Sequence, residues 1–195
     1  MSYDINLVSR KTGKTVMLKN PLYVRGGTVK AELTKDGRLI QAVETEASIN
    51  ITYNYSQYYY DATEGDSRFQ KKDEDGKIIT GIRGLYGMTP AESIPVITDM
   101  VMRIQQKYKD ENGKWIQSER TRKHYFDKNG NEIKDVIGAV LNHEVYSETE
   151  EKYIVSEGDT SNYWERTAAN AIRPLYDMIY MAVDCLGEDC YWNGD

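Results

Sequence analysis

Cysteine, histidine and phenylalanine are scarce in this chain, with two of each among 195 residues. A disulfide framework would need more cysteines than Cys185 and Cys190, and a zinc site would need a second cysteine pair or a histidine nearby. His124 and His143 both lie far upstream of the two cysteines. We therefore expect two reduced thiols, at least one of them packed as a small hydrophobic side chain, and no metal centre.

The small number of histidines also weakens the case for catalysis. A nucleophilic serine or cysteine needs a base within reach, and we expect both histidines to be surface residues in polar surroundings. Acidic residues are plentiful, but they form no recognisable arrangement with a lysine or histidine on a strand pair, as a carboxylate nuclease usually does. The sequence predicts a protein that is not an enzyme and binds no cofactor.

Long apolar runs are absent as well. The longest are far too short to cross a bilayer, and residues 1–10 alternate apolar and polar side chains where a signal peptide would have a basic and then an apolar region. Hydrophobic residues make up 39% and charged residues 29% of the chain, which is typical of a soluble globular protein. We expect a cytoplasmic protein that makes no membrane contact.

Tyrosine is abundant, with 16 residues, and five of them crowd into one short stretch of the chain. Tyrosine has a large apolar ring and a hydroxyl that must stay hydrated or hydrogen-bonded, so it is favoured where a protein meets water on one side and a partner on the other. The composition therefore favours a contact surface. The crowded residues are Tyr53, Tyr55, Tyr58, Tyr59 and Tyr60.

The net charge of −6 is unevenly distributed along the chain. Residues 136–195 carry 12 acidic and 3 basic side chains, whereas residues 101–135 carry 9 basic and 6 acidic side chains. Such a division is typical of surfaces that meet different partners, and the alternative is an ordinary solvated acidic face.

Alternation of apolar and polar residues predicts strands in the first third of the chain. Residues 2–8 and 14–18 form one strand, turn and strand pattern, and residues 28–33 and 38–43 form a second one. Residues 47–55 give the clearest strand, with Ile49, Ile51 and Tyr53 on one face and Asn50 and Asn54 on the other. The amide face of this strand could recognise a polar ligand.

A glycine-rich stretch follows at residues 81–87. It is not a phosphate-binding P-loop, because the Gly-Lys-Ser/Thr ending is absent, and its glycine spacing does not match the dinucleotide-binding pattern. We expect its glycines to shape a turn that presents Arg83 and Tyr86.

Two helices are predicted in the remainder. Thr89 and Glu92 form a capping box, with Pro90 at the first helical position, and a helix is expected to follow over residues 90–107. A second helix is expected over residues 161–184, capped by Asn162 and bent at Pro174. The change of period at residue 89 predicts an α+β fold, in which an antiparallel sheet built mainly from residues 2–55 packs against two main helices.

Residues 106–158 separate the two helices and are predicted to form a hairpin-rich insertion. Hairpin-turn signals occur at residues 110–114 and 127–131, and a short helix is expected within residues 133–141. Spacing at the second turn resembles the start of a calcium loop, but the required glycine and final glutamate are missing, so we expect turn chemistry there. The predicted core domain is then residues 1–105 and 159–195.

Amides, an arginine and aromatic rings of the kind that dominate binding interfaces recur along the core segments. We predict that eight of them form one partner-binding cluster, and the alternative is that they form a structural network joining the sheet to the helices. The eight are Asn50, Tyr53, Asn54, Tyr55, Arg83, Tyr86, Trp164 and Asn170.

Several short phrases of the sequence resemble a family of small proteins carried by phages and mobile elements of gut bacteria, and that family in turn resembles a type II anti-CRISPR, an inhibitor of an RNA-guided DNA nuclease. The resemblance covers most of the chain outside residues 106–158. The phrases are Tyr3-Asp4-Ile5, Arg25-Gly26-Gly27-Thr28, Asn50-Ile51-Thr52-Tyr53-Asn54-Tyr55, Gly81-Ile82-Arg83, Leu85-Tyr86-Gly87, Glu92-Ser93-Ile94-Pro95, Tyr163-Trp164-Glu165 with Asn170-Ala171, and Trp192-Asn193-Gly194-Asp195.

The resemblance implies inhibition by binding, with a CRISPR effector nuclease as the partner. An acidic face containing Glu148, Glu150 and Glu157 could mimic phosphates in the effector's nucleic-acid channel. Alternatively, Arg120, Arg122 and Lys123 could touch nucleic acid directly. A small-ligand or nucleotide-binding module, a structural phage protein and a hydrolase remain as alternatives, and the oligomeric state is left open.

Overall fold

A three-stranded antiparallel sheet forms one wall of the hydrophobic core. The computed structural model describes residues 2–23, 31–33, 35–37, 39–41 and 43–194. Strand β1 (Ser2–Ser9) lies at the centre of this sheet. It pairs with Ser48–Thr52, strand β6, on one side and with Cys190–Gly194, strand β9, on the other. Ile5 pairs with Ile49 on one side, and Leu7 pairs with Trp192 on the other. The strands within the described residues are β1, β2 (Met17–Leu22), β3 (Ala31–Leu33), β4 (Leu39–Gln41), β5 (Glu44–Glu46), β6 (Ser48–Thr52), β7 (Gln117–Phe126), β8 (Ser147–Ser156) and β9 (Cys190–Gly194).

The predicted α+β class with antiparallel strands is confirmed, but the sheet is assembled differently from the prediction. The chain reverses direction after β1, as predicted, but β2 pairs with β5 and not with β1. The third strand of the main sheet comes from the C-terminal segment, and it was not predicted. Trp192 anchors it, because its ring is buried and its Nε1 donates to Ser93 Oγ at 2.8 Å.

The predicted hairpin of residues 28–33 and 38–43 is present where the structure describes it. Strand β3 pairs with β4, and Ala31 lies opposite Gln41. Residues 28–30, 38 and 42 lie outside the described residues, as do Arg25, Gly26, Gly27 and Asp195 of the resemblance phrases.

The strand expected over residues 47–55 is too long. Strand β6 ends at Thr52, Tyr53–Tyr55 is a 3₁₀ turn, and Ser56–Thr63 is a helix, α1. Thr52 begins the turn, since its hydroxyl accepts a hydrogen bond from the Asn54 amide at 3.3 Å. In helical form, three of the crowded tyrosines, Tyr55, Tyr58 and Tyr59, bury their rings in the core, while the Tyr60 ring stays 45% exposed.

The two predicted long helices are present as α2 (Pro90–Tyr108) and α4 (Ala168–Asp184), which pack against each other. The predicted capping box at Thr89 and Glu92 is formed. Helix α4 begins later than predicted and Asn162 does not cap it. Thr167 is the N-cap, and its hydroxyl accepts from the Asn170 amide at 3.2 Å.

The segment between these helices forms a long hairpin of β7 and β8, 10 residues each, with the short helix α3 (Val136–Leu141) near its far end. Both predicted turns are closed: the Asp110 amide donates to the Lys114 carbonyl at 2.8 Å, and the Asp127 amide donates to the Asn131 carbonyl at 3.0 Å. The Asp127 carboxylate accepts from the backbone amides of Asn129 and Asn131, which is the turn chemistry predicted for this stretch.

Candidate functional site

The predicted partner-binding cluster divides into groups with different roles. Tyr3, Tyr53 and Arg83 form one group, in which the centroids of the two rings are 4.3 Å apart. The guanidinium of Arg83 lies 5.5 Å from the Tyr3 ring centroid, and its Nη2 donates to the Tyr53 hydroxyl at 3.1 Å. The turn Gly81–Leu85 leaves Arg83 exposed, as predicted.

A second group fixes the loop at residues 162–165 in place. Asn170 is buried and its Nδ2 donates to the carbonyls of Asn162 at 2.8 Å and Glu165 at 3.0 Å. The Tyr55 hydroxyl donates to the Tyr163 carbonyl, and Asn54 Nδ2 donates to the Trp164 carbonyl at 2.9 Å. These hydrogen bonds tie the backbone of the loop to the core from two directions.

The loop presents Trp164 to solvent. The indole is 60% exposed, and it meets the Tyr163 ring edge-on with a centroid separation of 5.2 Å. A loop fixed by buried donors that carries an exposed tryptophan is the arrangement expected of a rigid contact residue.

Asn50 and Tyr86 contact the strands of the main sheet. Asn50 Nδ2 donates across the sheet to Ser2 Oγ at 2.7 Å and to the Asp4 carboxylate. The Tyr86 hydroxyl lies so close to Gly194 that a side chain at that glycine would collide with it. Both residues therefore hold neighbouring strands or the chain end in place.

A surface groove of about 570 Å³ lies between α1, the loop at residues 162–165 and the base of the β7–β8 hairpin. We call it the Trp164 groove. Its lining includes three of the predicted cluster residues and one of the predicted nucleic-acid-binding residues, together with side chains that were not predicted. The lining is Tyr53, Asn54, Ser56, Gln57, Tyr60, Arg122, Tyr153, Trp164, Glu165 and Arg166.

Two arginines in this lining are not neutralised by acids. The guanidinium of Arg122 lies 4.7 Å from the centroid of the Tyr153 ring. Neither Arg122 nor Arg166 forms a salt bridge with a carboxylate of any described residue. The carboxylate of Glu165 instead accepts a hydrogen bond from the Tyr153 hydroxyl at 3.0 Å. The pKa of Tyr153 is raised, mainly by burial and then by this hydrogen bond. The lining thus holds two arginines and one glutamate, and the arginines are available to an anionic ligand.

The other predicted nucleic-acid-binding residues have different positions. Arg120 is partly buried, and its Nη2 pairs with the Glu157 carboxylate and donates to the Tyr58 hydroxyl at 3.0 Å. Lys123 is exposed on the opposite face of the hairpin from Arg122, and it pairs with Glu148 at 2.9 Å and Glu150 at 3.7 Å. Of the three, Arg122 alone lines the Trp164 groove.

The predicted acidic face loses one member. Glu157 has no exposed surface. Its buried carboxylate accepts hydrogen bonds from the Tyr58 hydroxyl at 2.7 Å and from the Ala168 backbone amide, at the start of α4, at 2.8 Å. It therefore joins the hairpin to the core and cannot mimic a phosphate at the surface. Glu148 and Glu150 remain exposed.

A second groove of about 640 Å³ continues from the Trp164 groove past the Tyr60 ring. That ring is packed against Gly81, where an added Cβ would lie 2.9 Å from Tyr60 Cε1, and Gly81 has a φ of 66° that favours glycine. The lining of the second groove has mixed charge, with three acids and two cations: Asp61, Glu64, Asp73, Lys77 and Arg83.

Three important lining residues were missed in the sequence: Tyr60, Tyr153 and Arg166. A helical pattern at residues 56–63 would have placed Gln57 and Tyr60, three positions apart, on one face of α1. Cross-strand pairing would have brought Tyr153 to the Arg122 side of the hairpin, but the register could not be read from the sequence alone.

The described residues contain no group of three or more histidine, cysteine or acidic side chains placed to hold a metal ion. Cys185 and Cys190 are free and buried, and burial raises the pKa of Cys185 to about 11, so its thiol is protonated at neutral pH. In the part of the chain that the structure covers, no helix has both the length and the apolar character needed to cross a membrane.

No protein-family model matches the chain, and neither curated proteins nor solved structures give a match. The assignment of function therefore depends on the groove and on the resemblance of the sequence phrases.

Proposed function

We propose that this protein acts by binding and not by catalysis, and that the Trp164 groove is its contact surface. The observation that carries the proposal is an exposed tryptophan on a loop whose backbone is hydrogen-bonded to the core. Trp164 is 60% exposed, although its loop is fixed by hydrogen bonds from Asn54, Tyr55 and Asn170. Tryptophan, tyrosine and arginine are the residues that dominate binding energy at interfaces, and here they lie together on fixed elements.

The proposed partner is a CRISPR effector nuclease in the cytoplasm of the host cell, and the proposed role is that of a phage or mobile-element inhibitor. The resemblance of the sequence phrases supports this partner. The groove supports a binding mechanism, since Arg122 and Arg166 are available to either the effector or its nucleic acid.

A small-ligand or nucleotide-binding module is the second candidate. A volume of about 570 Å³ lies within the range of roughly 300–1,000 Å³ that is common for ligand pockets. The open, partly exposed lining favours a macromolecule, because small-molecule sites bury most of the ligand surface.

The experiment is a pull-down with the tagged protein from lysates that express a CRISPR effector, with and without its guide RNA. Retention of the effector, together with inhibition of its DNA cleavage, is the expected result. A matched pair of variants tests whether the Trp164 groove makes the contact. Trp164→Ala should no longer retain the effector, whereas Lys123→Gln, on the opposite face of the hairpin, should still retain it. Absence of retention under both guide conditions, across representative effectors, would remove the proposed partner.

A further inference from the structure

We propose that the Trp164 groove binds a short segment of single-stranded nucleic acid, with bases stacked on Trp164 and Tyr60 and phosphates held by Arg122 and Arg166. This deepens the proposed function and rests on it only in taking the groove as the contact surface. Exposed aromatic platforms combined with cations along a groove are the features by which proteins hold single strands without reading their sequence.

Each aromatic platform packs against a neighbouring group on one side. The Trp164 indole is supported by the edge of Tyr163 at a centroid distance of 5.2 Å, and 60% of its surface faces solvent. The Tyr60 ring is held against the backbone at Gly81 and is 45% exposed. Rings held in place by packing lose little side-chain entropy when a base stacks on them.

Arg122 and Arg166 are available to donate hydrogen bonds to phosphate. The guanidinium of Arg122 lies 4.7 Å from the centroid of the Tyr153 ring, a contact that restrains its position. Arg166 follows Trp164 by two residues, and its exposed side chain forms no ion pair with the described carboxylates. An arginine without a carboxylate partner can give two parallel hydrogen bonds to a phosphate at no cost of breaking an existing pair.

The second groove beyond Tyr60 has a lining of mixed charge. It contains Asp61, Glu64 and Asp73 together with Lys77 and Arg83, and Asp61 is paired with Lys107 at 2.7 Å. The whole chain carries a net charge of −6, so long-range attraction of nucleic acid is weak and binding depends on the contacts inside the Trp164 groove. Those contacts favour a short segment of single strand.

The test is a fluorescence-anisotropy titration of the isolated protein into labelled DNA and RNA oligonucleotides of about ten nucleotides, a length within the usual site sizes. Two arginine contacts predict a slope of about −1.4 in a plot of log affinity against log salt, from about 0.7 counterions per phosphate on a single strand. Arg122→Gln and Arg166→Gln should each weaken binding about tenfold and each reduce the slope by about 0.7. Lys123→Gln, with the same change of charge on the opposite face, should keep the affinity of the unaltered protein.

Tryptophan emission gives an independent readout. Trp192 is fully buried and Trp115 is partly buried, so quenching by a stacked base should come from Trp164 and should disappear in Trp164→Leu. Trp164→Phe keeps a ring for stacking and should retain most of the affinity. Melting temperatures of all variants should stay within a few degrees of the unaltered protein, because the altered side chains are exposed.

Failure to bind either oligonucleotide at low salt would overturn the inference. An equal loss of oligonucleotide affinity in Lys123→Gln would also overturn it. So would a mononucleotide that competes for the groove as effectively as an unlabelled oligonucleotide does. Because the titration contains no effector, it is separable from the pull-down. Capture of the effector without oligonucleotide binding overturns this inference alone, and oligonucleotide binding without capture overturns the proposed partner alone.

Discussion

Glu157 links the β7–β8 hairpin to the core through a buried carboxylate. The carboxylate is paired with Arg120, Tyr58 and the first amide of α4. Burying a carboxylate is costly unless donors replace its water, and the donors here come from three separate segments.

Replacing Glu157 by alanine should therefore destabilise the protein strongly. The change leaves the partly buried Arg120 without its counter-charge and removes the acceptor of Tyr58, and we expect the free energy of unfolding to fall by about 3 kcal/mol, as measured by urea denaturation. Glu148→Ala, which removes an exposed acid, is the control and should change little. Similar losses in the two variants would show that Glu157 is not the link between hairpin and core.

His124 gives a prediction about pH. Hydrogen bonds to Glu132 at 2.5 Å and then to Glu151 at 3.1 Å raise the pKa of His124 above its ordinary value of about 6.5. Because the folded-state pKa is raised, the stabilising contribution is complete below about pH 6.5 and is lost as the pH rises through the folded-state pKa.

His124→Gln should remove this dependence. Melting temperatures across the neutral range should fall with rising pH more steeply in the unaltered protein than in the variant, and the exposed His143→Gln should behave like the unaltered protein. Identical pH profiles for the unaltered protein and His124→Gln would rule out the contribution.

At the scale of elements, the sequence predicted helices better than strand partners. The capping box at Thr89 defined the start of α2, because that signal is local. Helix α1 was missed, since the alternation of residues 47–52 was extended into tyrosines that fit a helix as well as a strand. The pairing of β1 with β9 joins the two ends of the chain, and no local signal records it.

The loop at residues 162–165 owes its position to Asn170. Asn170→Ala would leave the carbonyls of Asn162 and Glu165 without their donor, and we expect a loss of about 1–3 kcal/mol in the free energy of unfolding. Partner binding should weaken as well, because Trp164 is presented by this loop. Full stability and full binding in the variant would show that the loop is held by other contacts.

The far part of the β7–β8 hairpin should be dispensable. Removing all of residues 106–158 would also remove Arg120 and Glu157, whereas replacing residues 124–149 with an Asn-Gly turn keeps both, along with Arg122 and Tyr153 of the groove. We expect the shortened protein to keep the circular dichroism and cooperative melting of a folded core.

The same shortened protein should retain its partner in the pull-down. An unfolded product would place residues 124–149 within the cooperative core. A folded product that fails to bind would place part of the contact surface on the removed segment.

At the scale of the whole molecule, the Trp164 groove forms where separate parts of the chain meet. Tyr53 and Tyr60 come from the end of the sheet and from α1, Arg122 and Tyr153 from the hairpin, and Trp164 and Arg166 from the loop before α4. The sequence identified Tyr53, Asn54, Arg122 and Trp164 by residue type. Their assembly into one groove depends on tertiary packing, which explains why Asn50, Tyr86 and Arg120 were grouped with them although they lie elsewhere.

Partner retention and stability of Trp164→Ala, measured side by side, decide whether the Trp164 groove is the contact surface. If the groove is the contact surface, this variant should lose at least about tenfold in affinity for the effector, as is typical of an exposed aromatic anchor, while its melting temperature stays within a few degrees of the unaltered protein. Lys123→Gln, measured in parallel, should change neither quantity. Undiminished retention of the effector by Trp164→Ala would contradict the account.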